Sequence, residues 1–229
     1  MTNKAGGTTS HLIHYNYTIA MSYLYNTLPD AFEEQLETEH LVLRPYAEGD
    51  EQEFMSLIQE NTAALSPAFT GRVARVRALE DARIQLAQLR SDWDNRKQFD
   101  FGVWLRESNT YIGDITLKNI DRSVPKAEAA LYFTSWSEML DLAQEAFKAV
   151  LHFAFEDVKL NKVYMRCTHY NNVCSQLAEN CGFLKEGVLR SDFKGADSEE
   201  LLDLRYYGMT RDDYEQATQL KERDTQTAV

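Results

Sequence analysis

The chain has 229 residues, with 24 basic against 36 acidic side chains for a formal charge of −12. A hydrophobic share of 44% with 26% charged residues suits a globular protein and is too apolar for a disordered one. No apolar run approaches the ~18–20 residues that cross a bilayer. The acidity disfavours non-specific nucleic-acid binding and favours cationic partners, and the start of the chain lacks a cleavable apolar leader, so a cytoplasmic chain is expected.

Cys167, Cys174 and Cys181 stand seven apart with no CxxC pair. If the segment is helical, Cys174 and Cys181 share one face as small hydrophobic side chains. Reduced thiols are expected, with neither a disulfide framework nor a zinc site. His11 and His14 have HxxH spacing but no second ligand pair, so no metal is expected.

In chain order, residues 1–36 read as an N-terminal extension, helical or arm-like. Gly6 to Ser10 open it, and Tyr15, Tyr17, Tyr23 and Tyr25 follow; packing on the body and an oligomer contact are both open readings. Residues 37–212 read as one domain. Leu41-Val42-Leu43-Arg44-Pro45 is a strand stopped by proline. Asp50 and Glu53 have capping-box spacing ahead of Phe54, Leu57 and Ile58. A second helix fits Leu79, Ala82, Leu86, Leu89 and Trp93. Phe99, Phe101, Val103 and Leu105 alternate as in a half-buried strand, and Glu107 to Thr110 turn into a strand at Tyr111–Ile120. Another strand covers Ala127–Thr134.

Phe147, Val150, Leu151, Ala154, Phe155 and Val158 form an amphipathic helical stripe. Lys162–Thr168 alternates, a short helix follows near Val173–Cys181, and Gly182 is placed to cap it. Strands near Val188–Phe193 and Leu202–Met209 complete the domain, and residues 213–229 read as a polar C-terminal tail that frays. The order predicts an α+β fold: a mixed, mostly antiparallel central sheet with flanking helices and one parallel crossover.

Four stretches carry a resemblance. They are Thr38-Glu39-His40-Leu41-Val42-Leu43-Arg44-Pro45; Tyr111-Ile112-Gly113-Asp114-Ile115 with Ala127 to Tyr132; Glu145-Ala146-Phe147 to Leu160-Asn161-Lys162-Val163; and Asn171-Asn172-Val173-Cys174 with Cys181-Gly182-Phe183 and Glu186 to Arg190. In this order they resemble the GNAT superfamily of acyl-CoA-dependent N-acetyltransferases, above all the branch acting on ribosomal-protein N-termini. The resemblance implies acetyl-CoA as co-substrate, seated where Ala127–Thr134 and Lys162–Thr168 splay apart as a parallel pair. It implies cofactor contacts from Tyr132, Phe133 and Thr134, from Leu142 and Ala143 on the following helix, and from Asn171. Backbone amides near Tyr132 and Phe133 would polarise the thioester.

The branch's Asn-x-x-Ser motif supplies a proton donor for the departing thiolate, and Cys174 holds the serine position. Packing as a small helix residue is the alternative reading of Cys174. Helix capping is the alternative reading of Asn171. Glu128 is the implied general base, against a plain salt-bridge role. The family's glycine-rich pyrophosphate loop is replaced by Trp136 to Glu145, which has no glycine and no basic residue and carries Glu138 and Asp141. The expected acceptor is a protein N-terminus or a small cationic amine such as a polyamine or antibiotic. A degenerate, non-catalytic domain that binds a ligand or partner is a further reading. No nucleic-acid or membrane partner is expected, and a homodimer through an edge strand or the N-terminal arm is compatible with the sequence.

Overall fold

The alternating stretches become strands because each can place one row of side chains under a helix. In the computed structural model, which describes residues 32–134, 139–195 and 199–227, eight strands form one sheet in the order β1-β2-β3-β4-β5-β6-β8-β7. Their ranges are β1 Leu36–Glu37, β2 Leu41–Arg44, β3 Phe99–Leu105, β4 Tyr111–Asp121, β5 Lys126–Phe133, β6 Lys162–Thr168, β7 Leu184–Lys194 and β8 Leu201–Thr210. Every neighbouring pair is antiparallel except β5 and β6. Among the described residues six helices flank it: α1 Glu51–Glu60, α2 Thr62–Arg75, α3 Leu79–Asp94, α4 Leu140–His152, α5 Asn172–Asn180 and α6 Arg211–Thr227. Most of the 1–36 extension, and Trp136 and Glu138, lie outside the described residues.

Two cores result. The larger holds Phe147, Val150 and Leu151 of α4 and Leu177 of α5 against Leu43, Phe101, Ile115 and Leu131 of the sheet. The second holds Phe54 of α1, Phe69 of α2 and Leu86 of α3 against Tyr46, Trp104, Tyr111 and Tyr132. The apolar stripe of α4 continues past His152 as a π-turn, Phe153–Asp157. That turn sets Phe153 among Phe32, Trp93, Phe99 and Phe101.

Some local expectations change. Asp50 precedes α1 but does not cap it; its carboxylate turns back to Arg44 and to the Ala47 N–H. β3 is buried on both faces rather than one, because Asp100 and Trp104 enter the second core's side. The residues between the two expected helices form α2, with a non-helical Phe69 at φ −122° and ψ 33°. The polar C-terminal stretch forms α6, joined to the body by Tyr214 stacked on Phe155 at 4.7 Å. Gly182 ends α5 at φ +92°, the left-handed conformation a glycine takes at little cost.

Candidate active site

β5 and β6 pair only at Lys126↔Lys162, Ala127↔Val163 and Glu128↔Tyr164. Both continue beyond that seam, β5 held by β4 as far as Phe133 and β6 held by β8 as far as Thr168. The parallel strands therefore part after Glu128 and Tyr164, leaving a wedge lined by main-chain groups. Thr134 N–H donates to Ile112 O at 3.0 Å, which sets the phase of the β4–β5 ladder. By that alternation Tyr132 exchanges its main-chain bonds with β4, and the N–H groups of Leu131 and Phe133 face the wedge.

Of the three strand residues expected to hold cofactor, Phe133 turns its amide away from β4, towards the wedge. Tyr132 turns its amide to β4, and the Thr134 amide is spent on Ile112. Of the helix pair, Leu142 is the third residue of α4, so its N–H has no partner within the helix. Ala143 N–H is spent on Met139 O at 2.7 Å, and its side chain is fully buried. Asp141 is exposed in the same first turn, and its charge opposes an anion at the helix N-terminus.

Asn171 acts as a helix cap: its Oδ1 accepts from Cys174 N–H at 3.0 Å. The expectation of reduced thiols is overturned, because Cys174 is disulfide-bonded to Cys167. The bond joins the strand residue Cys167 to the helix residue Cys174 across the turn between them. In this bonded form Cys174 has no S–H, and the donor role implied for it requires reduction. Cys181 is buried and takes no part in the bond.

Glu128 sits at the seam's last pair and is buried. Arg166 donates to it through Nε at 3.1 Å and Nη2 at 2.8 Å, and Asn119 Nδ2 at 2.8 Å. Lys118 Nζ stands 3.9 Å away. Both oxygens are engaged, so Glu128 ties β5 to β6 where they begin to diverge, and the geometry does not present it as a free base.

A cluster that the sequence reading missed lies on the opposite face of β5 from α4. Arg72 of α2 donates to Asp100 Oδ1 at 2.7 Å and stands 3.0 Å from Asp114 Oδ1, an ion pair without hydrogen-bond alignment. Phe54, Phe69 and Tyr132 surround its guanidinium at 5.2–5.9 Å. Tyr46 donates to Asp114 Oδ2. A row of hydroxyls leads away from it: Tyr46 to Tyr111 at 2.8 Å and Tyr111 to Tyr132 at 3.1 Å. Burial pushes the Asp114 carboxyl up to about 6, against the opposing pull of Arg72, and pushes the Tyr132 phenol up to about 12. The signal available in the sequence was an aspartate set inside each of two apolar strands, Phe99-Asp100-Phe101 and Gly113-Asp114-Ile115.

Comparison with known proteins adds an independent finding. Residues 40–184 match the model of the acetyltransferase (GNAT) domain family. A Bacillus subtilis (strain 168) protein named as a probable N-acetyltransferase, YjcK, is 23% identical over 155 residues, covering 67% of this chain and 86% of that protein. The ribosomal-protein-S5-alanine acetyltransferase from Vibrio fischeri superposes with a TM-score of 0.69 at 18% identity, covering 79% of this chain and 98% of its own. The microcin C7 self immunity acetyltransferase MccE, solved with acetyl-CoA and AMP, gives 0.66 at 19% identity, covering 76% and 93%. At these identities the structural likenesses show the fold.

Proposed function

The chain belongs to the acetyltransferase (GNAT) domain family, an acetyl-CoA-dependent N-acetyltransferase family, and from that premise we propose that its acceptor is the α-amino group of a protein N-terminus. The observation that carries the reading is the parallel seam of only three pairs, beyond which β5 and β6 part into a wedge. The acceptor class is supported by the similar Vibrio fischeri structure, which is named for a ribosomal protein. A formal charge of −12 also favours a basic peptide, by raising its local concentration.

Acetyl-CoA supplies an acetyl thioester that a neutral amine can attack. The Leu131 amide, fixed by the β4 ladder, is a donor already in place for the thioester oxygen or the pantetheine arm, so no reorganisation is spent at the moment of reaction. The N–H groups of the first turn of α4, which have no partner within the helix, are the donors suited to phosphate oxygens. Without glycines or a basic side chain that subsite is weaker than a glycine-rich cradle. On the acceptor side the amine's proton passes to the Tyr132 hydroxyl as that hydroxyl gives its own to Tyr111. Tyr111 in turn passes one to Tyr46, and the row ends on the Asp114 carboxylate. In the reduced form Cys174 carries a proton for the departing thiolate.

The test pairs calorimetric titration by acetyl-CoA with turnover of peptides beginning with Ser or Ala, beside a polyamine and an aminoglycoside. Binding, with acetylation of free but not blocked peptide N-termini, is expected. Turnover of the small amines alone would replace the acceptor, and no binding at millimolar acetyl-CoA would overturn the reading. The Tyr111→Phe variant tests the proton path: its kcat/KM is expected to fall with the limb near pH 6 lost. A wild-type profile would remove the path.

The same reading places the chain in the cytoplasm; among the described residues no helix is long and apolar enough to cross a membrane. It also carries a homodimer through β7, an edge strand of the sheet among the described residues, where Leu184, Val188 and Leu189 are exposed. Sedimentation velocity reads it directly: a dimer that Val188→Lys dissociates is expected, and a monomer at all concentrations refutes it.

A further inference from the structure

β6 ends at Thr168 and α5 begins at Asn172. The joint is short and tied by Asn171 N–H donating to Thr168 O at 3.0 Å. It brings the Cα atoms of Cys167 and Cys174 to 5.9 Å, within the span disulfides occupy. The position is unusual for a structural bond. It closes a loop of only seven residues in sequence, where the constraint on the unfolded chain is small. It also sits on the half of β6 that has left β5, beyond the last paired residue, Tyr164.

Its two sulfurs differ in access. Cys167 is 1% exposed and packed in the larger core. Cys174 is half-buried in the first turn of α5, where the helix N-terminus favours a thiolate. Leaving-group chemistry alone would favour expelling Cys174, because the lower-pKa thiol leaves faster. Access favours attack on Cys174 instead, and decides, because an entering thiol cannot line up on a sulfur that is closed off.

We propose that the Cys167–Cys174 bond is a thiol-exchange site, entered at Cys174 by a small thiol held in the wedge between β5 and β6. The entering thiol loses its proton and its sulfur bonds to Cys174 Sγ. The Cys167–Cys174 bond breaks with its electron pair on Cys167 Sγ, which takes up a proton. A second thiol then attacks the adduct at the small molecule's sulfur and leaves with it as a free disulfide. Cys174 gains a proton, and the protein is left as the dithiol. No other oxidant or reductant enters: two thiols are oxidised and one protein disulfide is reduced.

That the held thiol is coenzyme A, released by each acetyl transfer, rests on the function proposed above; the exchange chemistry does not. One consequence joins the two. The bonded form withholds the S–H that position 174 would offer to the leaving thiolate, and exchange restores it, so the dithiol state is the faster acetyltransferase.

The experiment uses the full chain purified without reductant and incubated separately with coenzyme A, desulfo-coenzyme A, pantetheine and mercaptoethanol. Intact mass, peptide mapping and alkylation are followed in time. Coenzyme A and pantetheine are expected to add once, on the peptide holding Cys174, while Cys167 becomes alkylatable. Coenzyme A should react faster than mercaptoethanol by about tenfold or more, because a held reagent gains in effective concentration. Desulfo-coenzyme A should add nothing and should slow coenzyme A. Cys167→Ser and Cys174→Ser should each abolish the adduct, and acetylation by the wild type should rise as the dithiol forms.

Three thiols titrating in the unfolded, never-reduced protein would overturn the proposal. So would an adduct confined to Cys167, or equal rates for coenzyme A and mercaptoethanol while acetyl-CoA still binds. These outcomes leave the acetyltransferase reading standing; only a failure of acetyl-CoA to bind would remove that reading.

Discussion

Replacing Arg72 by Met keeps an unbranched side chain in place and removes the only charge that bonds both Asp100 and Asp114 among the described residues. The guanidinium is 7% exposed and its partners 2% and 0%, so solvent cannot take over its role. Removing one member of a buried ionic set costs about 3–5 kcal/mol, because a charge is left uncompensated. At about 2–4 °C per kcal/mol for a chain of this size, the melting temperature should fall by roughly 6–20 °C.

The loss has a pH signature. In the wild type the folded Asp114 carboxyl is raised to about 6 by burial, so the folded state holds its proton more tightly than the unfolded chain does. That contribution is full below the ordinary carboxylate value, is lost as pH rises towards 6, and is flat above. Without Arg72 the carboxyl moves higher still, and the falling limb extends above pH 6. Urea unfolding of Arg72→Met at pH 6 and pH 8 should therefore show the greater loss at pH 8, with a slope of at most about 1.4 kcal/mol per pH unit for one proton. Replacing Asp114 by Leu in the same variant should recover part of the stability. An equal loss at both pH values would refute the reasoning, since the cost would then come from packing and not from stranded charge.

Three further outcomes follow from the same geometry. Gly113→Ala would place a Cβ 2.4 Å from Tyr132 O and 2.9 Å from Phe133 Cδ1, pressing on the wedge strand; kcat/KM for acetyl-CoA should fall by up to about a hundredfold, and unchanged kinetics would show that β5 absorbs the shift. Asp141→Asn removes a negative charge from the first turn of α4 and should tighten coenzyme A binding several-fold, about 1 kcal/mol for a solvated pair, as read by calorimetry; unchanged affinity would show that the carboxylate points away. His40 bonds Glu145 at 2.8 Å, and that bond raises its pKa above the ordinary histidine value. The pair's contribution should be full below the ordinary histidine value and fade as pH rises through the raised one, and Glu145→Gln should flatten this part of the stability profile.

The elements legible in the sequence are those whose signal is local. The stripe from Phe147 to Val158 has to be helical, and the alternation in β6 has to be a strand, whatever surrounds them. α2 was not legible because Pro67 and Gly71 weaken its local case, and tertiary contacts of Phe69 and Arg72 with the sheet outweigh that weakness. β1 has two residues and exists only because β2 offers it an edge.

The site divides along the same line. Phe133, Leu142 and Asn171 were named through the resemblance, and pattern and caps put them only near strand and helix termini. Which neighbouring amide faces the wedge could not be read, since it depends on the phase of the β4–β5 ladder, and a one-residue slip exchanges Tyr132 for Phe133. Glu128 was legible as a carboxylate on the central strand, but its meaning is set by Arg166, 38 residues away. The paired cysteines show the limit most sharply. Cys167 is legible on a strand and Cys174 on the helix that follows, with a turn between them. Whether the two side chains meet depends on how closely that turn folds the helix back over the strand, which no local spacing encodes. Here it brings the Cα atoms to 5.9 Å, and that approach decides whether Cys174 carries a proton or a bond.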